Sequence, residues 1–288
     1  MSEIRVGSLF GFQTLKLAAT FYGDESAAPI ILAHGGGQTR RAWADTASAL
    51  SDAGHYAIAV DLRGHGESAW CPKGDYRIEA FAHDLEAICR YFESPPVLIG
   101  ASLGGIAAMI AAGEMNPSIF RALILVDITP TMESSGVEKI IQFMSAHVEE
   151  GFGSVKEAAE AISAYLPHRP KPENLNGLES NLRKIDDRYY WHWDPKFVLG
   201  ENRPTGSRDP SRLAKAVQNT DAPIMLVRGR MSELVSEENV AEFLALVPSA
   251  HFVDIAGAHH MVVGDKNDAF TIAISEFIES ISNQSFRK

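Results

Sequence analysis

A serine at position 102 stands in a context that can make its hydroxyl a nucleophile. It is the centre of the sequence Gly-Ala-Ser-Leu-Gly at 100–104, which follows an apolar run and precedes an alanine-rich segment with helical character. A serine at a sharp strand-to-helix turn projects its hydroxyl out of the sheet, and flanking glycines leave room for two closely approaching elements. The pattern predicts a nucleophilic serine at such a turn, with an ordinary strand-to-helix loop as the alternative.

Three further motifs accompany the serine. His-Gly-Gly-Gly at 34–37 ends an apolar run, Asp-Leu-Arg-Gly-His-Gly-Glu-Ser occupies 61–68, and a pair of histidines lies near the end of the chain. Together with Ser102 these motifs resemble the α/β-hydrolase superfamily. The resemblance implies a doubly wound, mostly parallel, eight-stranded sheet with a helical cap inserted after the sixth strand, and a Ser-His-acid triad.

The resemblance also indicates which histidine is the base. In the family the order along the chain is serine, acid, histidine, and the histidine lies in the loop after the last strand. His259 and His260 are the candidates there, and the apolar Met261 and Val262 that follow favour His260. The family pattern has a glycine where this chain has His259.

Two carboxylates compete for the role of the acid. The usual aspartate position, after the seventh strand, matches Ser232, and the neighbouring carboxylate is Glu233. A smaller group of relatives has the acid at the end of the sixth strand, where this chain has Asp127. Asp127 is favoured and Glu233 stays open as the alternative.

The glycine-rich motif suits a role in stabilising a negatively charged oxygen. In esterases of the superfamily one oxyanion donor comes from such a loop and the other from the residue after the nucleophile. These donors would be the N–H groups of Leu103 and of Gly36 or Gly37. No zinc-binding spacing occurs in the sequence, so the prediction is of a hydrolase without metal or organic cofactor.

The alternation of apolar runs with helical segments agrees with this fold. Continuous apolar runs are typical of strands buried on both faces of a parallel sheet, and alternating residues at 1–22 predict an edge hairpin. From 131 to 210 the sequence changes to helical pieces and proline-containing loops with no strand pattern. The predicted domains are therefore a core of residues 1–130 and 211–288 and a helical cap of residues 131–210.

Substrate contacts are predicted from aromatic and basic residues near these motifs. Arg40 follows the glycine-rich turn and could bind a carboxylate, although arginines at helix starts are usually solvated. Trp191 and Trp193 belong to a dense aromatic run, and Trp43 and Phe143 are further candidates for the wall of the substrate site. Packing within the cap is the alternative role for such aromatic residues.

The charge and composition of the chain limit the classes of molecule that it is expected to bind. The chain has 288 residues, a net charge of −11 and two cysteines. Binding to nucleic acids or anionic membranes requires clustered lysine and arginine, so an acidic protein is expected to act on a small molecule instead. The absence of a signal sequence and of a long apolar segment predicts a cytoplasmic protein. We expect it to be a monomer or a homodimer.

Three functions fit these features. The first is a serine hydrolase that cleaves a carboxylic ester or lactone through an acyl-enzyme. The second uses the same triad for carbon–carbon bond hydrolysis, enol-lactone opening or perhydrolysis. The third is a non-catalytic ligand-binding protein on the same fold.

Overall fold

Eight strands form one twisted sheet at the centre of the protein. The computed structural model describes residues 3–167, 175–179, 181–204, 209–260 and 268–285. Met261 and Val262, and the parts of the predicted cap at 168–174, 180 and 205–208, lie outside the described residues. The strands of the large sheet are β1 (Ile4–Phe10), β2 (Lys16–Tyr22), β3 (Pro29–Ala33), β4 (Tyr56–Val60), β5 (Val97–Ala101), β6 (Ala122–Val126), β9 (Ile224–Gly229) and β10 (His251–Ile255).

The strand order across the sheet is β1-β2-β4-β3-β5-β6-β9-β10. The pairs β1–β2 and β2–β4 are antiparallel, and the remaining neighbours are parallel. The predicted edge hairpin is β1–β2. All residues of β3, β4, β5, β6 and β9 are buried, which explains their uninterrupted apolar sequences. The prediction of a mostly parallel, eight-stranded sheet is confirmed.

Helices cover both faces of the sheet. Helices α1 (Ala44–Asp52) and α10 (Asp268–Ser285) pack on one face. The other face is covered by α2 (Ile78–Cys89), α3 (Leu103–Ile110), α8 (Pro210–Gln218) and α9 (Glu237–Leu246). Alternate residues of each strand point to the two faces, so Ile31 joins one apolar cluster while Ile30 and Leu32 join the other.

The described residues between β6 and α8 form four more helices and a second, two-stranded sheet. The helices are α4 (Ser134–Ser145), α5 (Val155–Tyr165), α6 (Asn176–Glu179) and α7 (Pro195–Leu199). The strands β7 (Leu182–Ile185) and β8 (Arg188–Trp191) pair as an antiparallel hairpin. The prediction of a region without strands was therefore wrong. The two-residue turn has Asp186 at φ 51° in place of a glycine, so the usual hairpin signal is missing from the sequence.

Membrane-spanning helices and metal sites are both absent from the described residues. Among them, no helix is long and apolar enough to cross a membrane. Within the same part of the chain, no group of three or more histidine, cysteine or carboxylate side chains has the arrangement of a metal site.

Candidate active site

Ser102 lies directly after β5, at the turn into α3. Its backbone has φ 43° and ψ −109°, a conformation that non-glycine residues rarely adopt. The surrounding elements approach very closely, because a Cβ on Gly104 would lie 2.5 Å from the Ala33 carbonyl oxygen and one on Gly100 would lie 2.7 Å from the Gly105 nitrogen. The glycines at 100 and 104 are therefore required by the packing, and the turn is the sharp strand-to-helix turn that the sequence predicts.

The sheet register places Asp127 beside this turn. Ala101 at the end of β5 is the partner of Val126 at the end of β6, so Ser102 and Asp127 follow neighbouring strands at the same level. Asp127 also has a positive φ, 49°, and its N–H donates to the Val227 carbonyl at 2.7 Å. Both residues thus leave the carboxyl edge of the sheet, where ligands bind in open α/β folds.

The Asp127 carboxylate joins the loop after β9 to the loop after β10. Its Oδ2 atom lies 2.6 Å from His260 Nδ1 and accepts a hydrogen bond from Ser232 Oγ at 2.6 Å. Its Oδ1 atom accepts from the Gly229 N–H at 3.1 Å. Asp127 is fully buried, so the carboxylate is held by these three donors and orients the imidazole of His260.

The structure separates the two candidate acids. Glu233 points to the surface, with a side chain that is 61% exposed, and forms an ion pair with Lys139 at 2.6 Å. Asp127, in contrast, contacts His260. Ser232, which matches the usual aspartate position, supplies a hydroxyl to Asp127 and accepts the N–H groups of Leu234 and Val235 at 3.0 and 3.2 Å. Sequence reasoning missed this role of Ser232, because a serine in a loop carries no pattern of its own.

Backbone donors for an oxyanion lie around Ser102. Leu103, Gly36 and Gly37 line the same cavity as the serine. Neighbouring donors are occupied, since the Gly35 N–H donates to Gln38 Oε1 at 2.9 Å and the Gly104 N–H to the His34 carbonyl at 3.2 Å. These contacts hold the glycine-rich loop against the turn, next to the predicted donors that line the cavity. Gln38 is a second residue that sequence reasoning missed.

We name the space around Ser102 and His260 the serine cavity. It has a volume of about 110 Å³, and His260 is its one ionisable residue besides Tyr165 among the described lining residues. Its remaining wall is mostly aliphatic or thioether and comes from α3, α4 and α7 and from the loops after β6, α7 and β9. That wall includes Met132, Val137, Ile140, Ile141, Met144 and Leu234.

The residues predicted to contact the substrate lie in different parts of the structure. Phe143 lines the serine cavity, whereas Trp191 and Trp193 are buried and line a neighbouring cavity. Trp43 packs against Phe270 on the opposite face of the sheet and does not reach either space. Arg40 is also buried away from the serine, where its guanidinium forms ion pairs with two carboxylates. The structure therefore does not bring Trp43 and Arg40 to the serine.

A family model of the alpha/beta hydrolase fold matches residues 28–266 of the chain. The chain belongs to the α/β-hydrolase family. Its sequence is 32% identical over 228 residues to the esterase Rv0045c of Mycobacterium tuberculosis, covering 75% of this chain and 71% of that protein. It is 28% identical to 2-(acetamidomethylene)succinate hydrolase of Mesorhizobium japonicum, covering 77% and 78% of the two chains. The crystal structure of Rv0045c covers 97% of this chain and 92% of its own, with a TM-score of 0.76 and 26% identity.

Three buried histidines brace the loops of this α/β hydrolase. His34 Nε2 accepts the Leu62 N–H at 3.0 Å, and His192 Nδ1 accepts the Gly66 N–H at 2.9 Å. His65 lies between the other two rings, 5.3 Å from His34 and 6.0 Å from His192. Burial lowers the pKa of each of the three imidazoles to about 3, so all three are neutral at physiological pH.

This cluster predicts that the protein loses stability in acid. The folded-state pKa of each histidine, about 3, is below the unfolded value of 6.5, so its contribution is complete above pH 6.5 and falls as pH drops towards 3. Three such groups give a slope of up to about 4 kcal/mol per pH unit. Urea unfolding at pH 7.5, 6 and 5 measures it. His192→Gln should reduce the slope by about 1.4 kcal/mol per unit, and an unchanged slope would contradict the assignment.

Proposed function

We propose that the protein is a serine hydrolase that cleaves a carboxylic ester or lactone of a small molecule, with Ser102, His260 and Asp127 as its triad. The observation that carries this proposal is the 2.6 Å contact between Asp127 and His260, at the sheet edge from which Ser102 emerges. The family and its named esterase support the coarser statement, a hydrolase that acts on ester bonds. The triad assigns that chemistry to particular side chains.

In the first half of the proposed reaction, His260 takes the proton from Ser102 Oγ as the oxygen attacks the ester carbonyl. Asp127 holds the ring so that Nε2 is the basic nitrogen, and it stabilises the imidazolium that forms. The oxyanion accepts hydrogen bonds from the N–H groups of Leu103 and of Gly36 or Gly37. The tetrahedral intermediate collapses, and His260 gives its proton to the leaving alcohol oxygen.

The second half releases the acyl group with water. His260 removes a proton from the water as its oxygen attacks the acyl carbonyl, and then returns a proton to Ser102 Oγ. Each cycle consumes one water and yields one carboxylic acid and one alcohol. The same triad and oxyanion residues therefore serve both the formation and the hydrolysis of the acyl-enzyme.

The wall of the serine cavity supports an acyl group that is apolar next to its carbonyl. Aliphatic and thioether side chains surround Ser102, so a charged group placed there would be desolvated without a partner. Helix α4 supplies Val137, Ile140 and Phe143 to this wall. We therefore assign residues 131–210 as a cap whose first helix selects the acyl group.

Labelling with a fluorophosphonate tests this proposal. The reagent forms a bond from serine oxygen to phosphorus with loss of fluoride, and it reacts with a serine only when an activated site is assembled. We expect turnover of p-nitrophenyl acetate and butyrate, one adduct per chain by intact mass, and the adduct on the peptide that contains Ser102. Heat-denatured protein is the control and should not react. A protein that gains no adduct, or gains it at another residue, would overturn the proposed function.

A further inference from the structure

A second cavity adjoins the serine cavity. This middle cavity has a volume of about 390 Å³ and shares four lining residues with the serine cavity: Gly37, Gln38, Phe143 and Tyr165. The rings of Phe143 and Tyr165 are stacked, with centroids 4.1 Å apart. Burial, with a smaller effect of Glu233, raises the pKa of Tyr165 to about 12, so its phenol is neutral. The two rings and the glycine-rich loop therefore form the boundary between the cavities.

A third cavity continues beyond the middle cavity. This arginine cavity has a volume of about 370 Å³ and shares Thr39, Arg41, Asn181 and His192 with the middle cavity. The three spaces thus adjoin in series, starting at Ser102. Their walls change from apolar around the serine, to mixed aromatic and polar, to charged.

The arginine cavity is rich in cations although the protein carries a net charge of −11. Three arginines and two carboxylates line it. Arg40 contacts Asp61 and also pairs with Glu67 at 2.6 Å, and Arg41 pairs with Glu67 at 3.2 Å. Arg183 pairs with no carboxylate in the described part of the chain. Its positive charge is therefore left for a ligand.

Two contacts other than ion pairs hold Arg183 in place. Its guanidinium lies 4.2 Å from the centroid of the Trp70 ring, and Nη2 donates one long hydrogen bond, 3.4 Å, to the Gly66 carbonyl. Burial lowers the pKa of Arg183, and the nearby charge of Asp194 offsets only part of that effect. A partly desolvated guanidinium gains most from a carboxylate, which its planar donors bind in a bidentate manner.

The position of His260 indicates which part of a substrate extends this way. His260 gives a proton to the leaving alcohol, so that alcohol must lie beside the imidazole, in the serine cavity. Neither Ser102 nor His260 lines the middle or the arginine cavity, and the middle cavity begins at Gly37 and Gln38 of the glycine-rich loop. The group that extends along that loop is the acyl group, which stays on the serine after the alcohol leaves.

We propose that the middle and arginine cavities bind the far end of the acyl group, and that this end carries a carboxylate recognised by Arg183. The substrate is then a monoester of a long dicarboxylic acid: apolar next to the scissile carbonyl and anionic at its distant end. Hydrolysis adds one water and releases an alcohol and a dicarboxylate. This inference rests on the proposed function, because the direction of the acyl group is set by the triad.

Matched p-nitrophenyl esters test the proposal. Mono-p-nitrophenyl decanedioate is compared with p-nitrophenyl decanoate, and the hexanedioate with the hexanoate. We expect kcat/KM to be at least about tenfold higher for the decanedioate than for the decanoate, and a smaller preference in the shorter pair, because its carboxylate lies closer to the apolar wall of the serine cavity. Raising the ionic strength should weaken the preference. Equal values for the two ten-carbon esters would overturn the proposal.

Substitution of Arg183 tests whether this residue causes the preference for the decanedioate ester. Arg183→Gln should remove most of the tenfold preference for the decanedioate over the decanoate, and Arg183→Lys should keep part of it. Lys184→Gln is the matched control, because it removes one positive charge from the same hairpin. Lys184 is exposed and lines none of the three cavities. A preference that survives Arg183→Gln, or that is lost equally in Lys184→Gln, would contradict the assignment.

Calorimetric binding of free decanedioate separates this proposal from the proposed function. Wild-type protein should bind decanedioate more tightly than decanoate, and Arg183→Gln should abolish the difference. If Ser102 does not react with the fluorophosphonate but decanedioate binding depends on Arg183, the proposed function fails and the anion site stands. If Ser102 reacts and decanedioate binds no better than decanoate, the anion site fails alone.

Discussion

Replacing Ser102 with alanine is expected to lower kcat/KM for p-nitrophenyl butyrate by about a million-fold, the size of the loss when a triad nucleophile is removed. Alanine lacks the oxygen that forms the acyl-enzyme, while the N–H groups that stabilise the oxyanion stay in place. Steady-state kinetics at high enzyme concentration measures the residual rate. A loss of this size distinguishes a nucleophile from a serine that only contacts substrate.

The fold should survive this substitution. Serine and alanine both carry a Cβ, so the backbone strain at φ 43° is the same in both proteins. Thermal unfolding midpoints should agree to within about 2 °C, which for a chain of this size corresponds to a change of no more than about 1 kcal/mol. Ser118→Ala, at an exposed serine outside the serine cavity, is the matched control and should retain full activity. More than about 1% residual activity in Ser102→Ala would contradict the nucleophile assignment.

The sequence brings residues of this candidate site together where each of them directly follows a strand. Continuous apolar runs locate the ends of β3, β5 and β6, and in a parallel sheet those ends meet at one edge. Ser102, Asp127 and the glycine-rich loop can therefore be placed together before any coordinates exist. The sheet register then brings Asp127 to the level of Ser102.

The residues that sequence reasoning placed wrongly depend on information that periodicity does not carry. Helical spacing shows that Trp43 is buried, but both faces of this sheet are covered by helices, and the pattern does not say which face receives the ring. Arg40 stands at a helix start, where an arginine is usually solvated. It is only 5% exposed because Asp61, at the end of β4, lies where it can neutralise the guanidinium. That pairing is a tertiary contact between distant segments.

The difference between the two candidate acids also appears only in the tertiary structure. A carboxylate after the seventh core strand and one after the sixth can both reach a histidine loop, so sequence leaves Asp127 and Glu233 open. The structure turns Glu233 towards Lys139 at the surface and fills the usual acid position with the Ser232 hydroxyl. In this chain the carboxylate that contacts His260 is Asp127, directly after β6, and the Ser232 hydroxyl donates to it.

Asp127→Asn is expected to lower kcat/KM by about ten-thousand-fold, as a triad acid does when its amide replaces it. Asparagine keeps the shape of the side chain and tolerates the positive φ of 49°, so the fold should persist. The amide no longer stabilises the imidazolium of His260 and favours the wrong tautomer. The same p-nitrophenyl esters measure the effect, with circular dichroism as the check on folding.

Two companion variants make this prediction decisive. Glu233→Gln should stay within about twofold of wild type, because removing one surface ion pair changes little. In the double variant Asp127→Asn with Ser232→Asp, the new carboxylate occupies the position from which Ser232 Oγ now reaches Asp127 at 2.6 Å. It should restore activity at least about tenfold above Asp127→Asn, since a carboxylate there can again orient His260. A loss in Glu233→Gln as large as that in Asp127→Asn would instead assign the acid to Glu233.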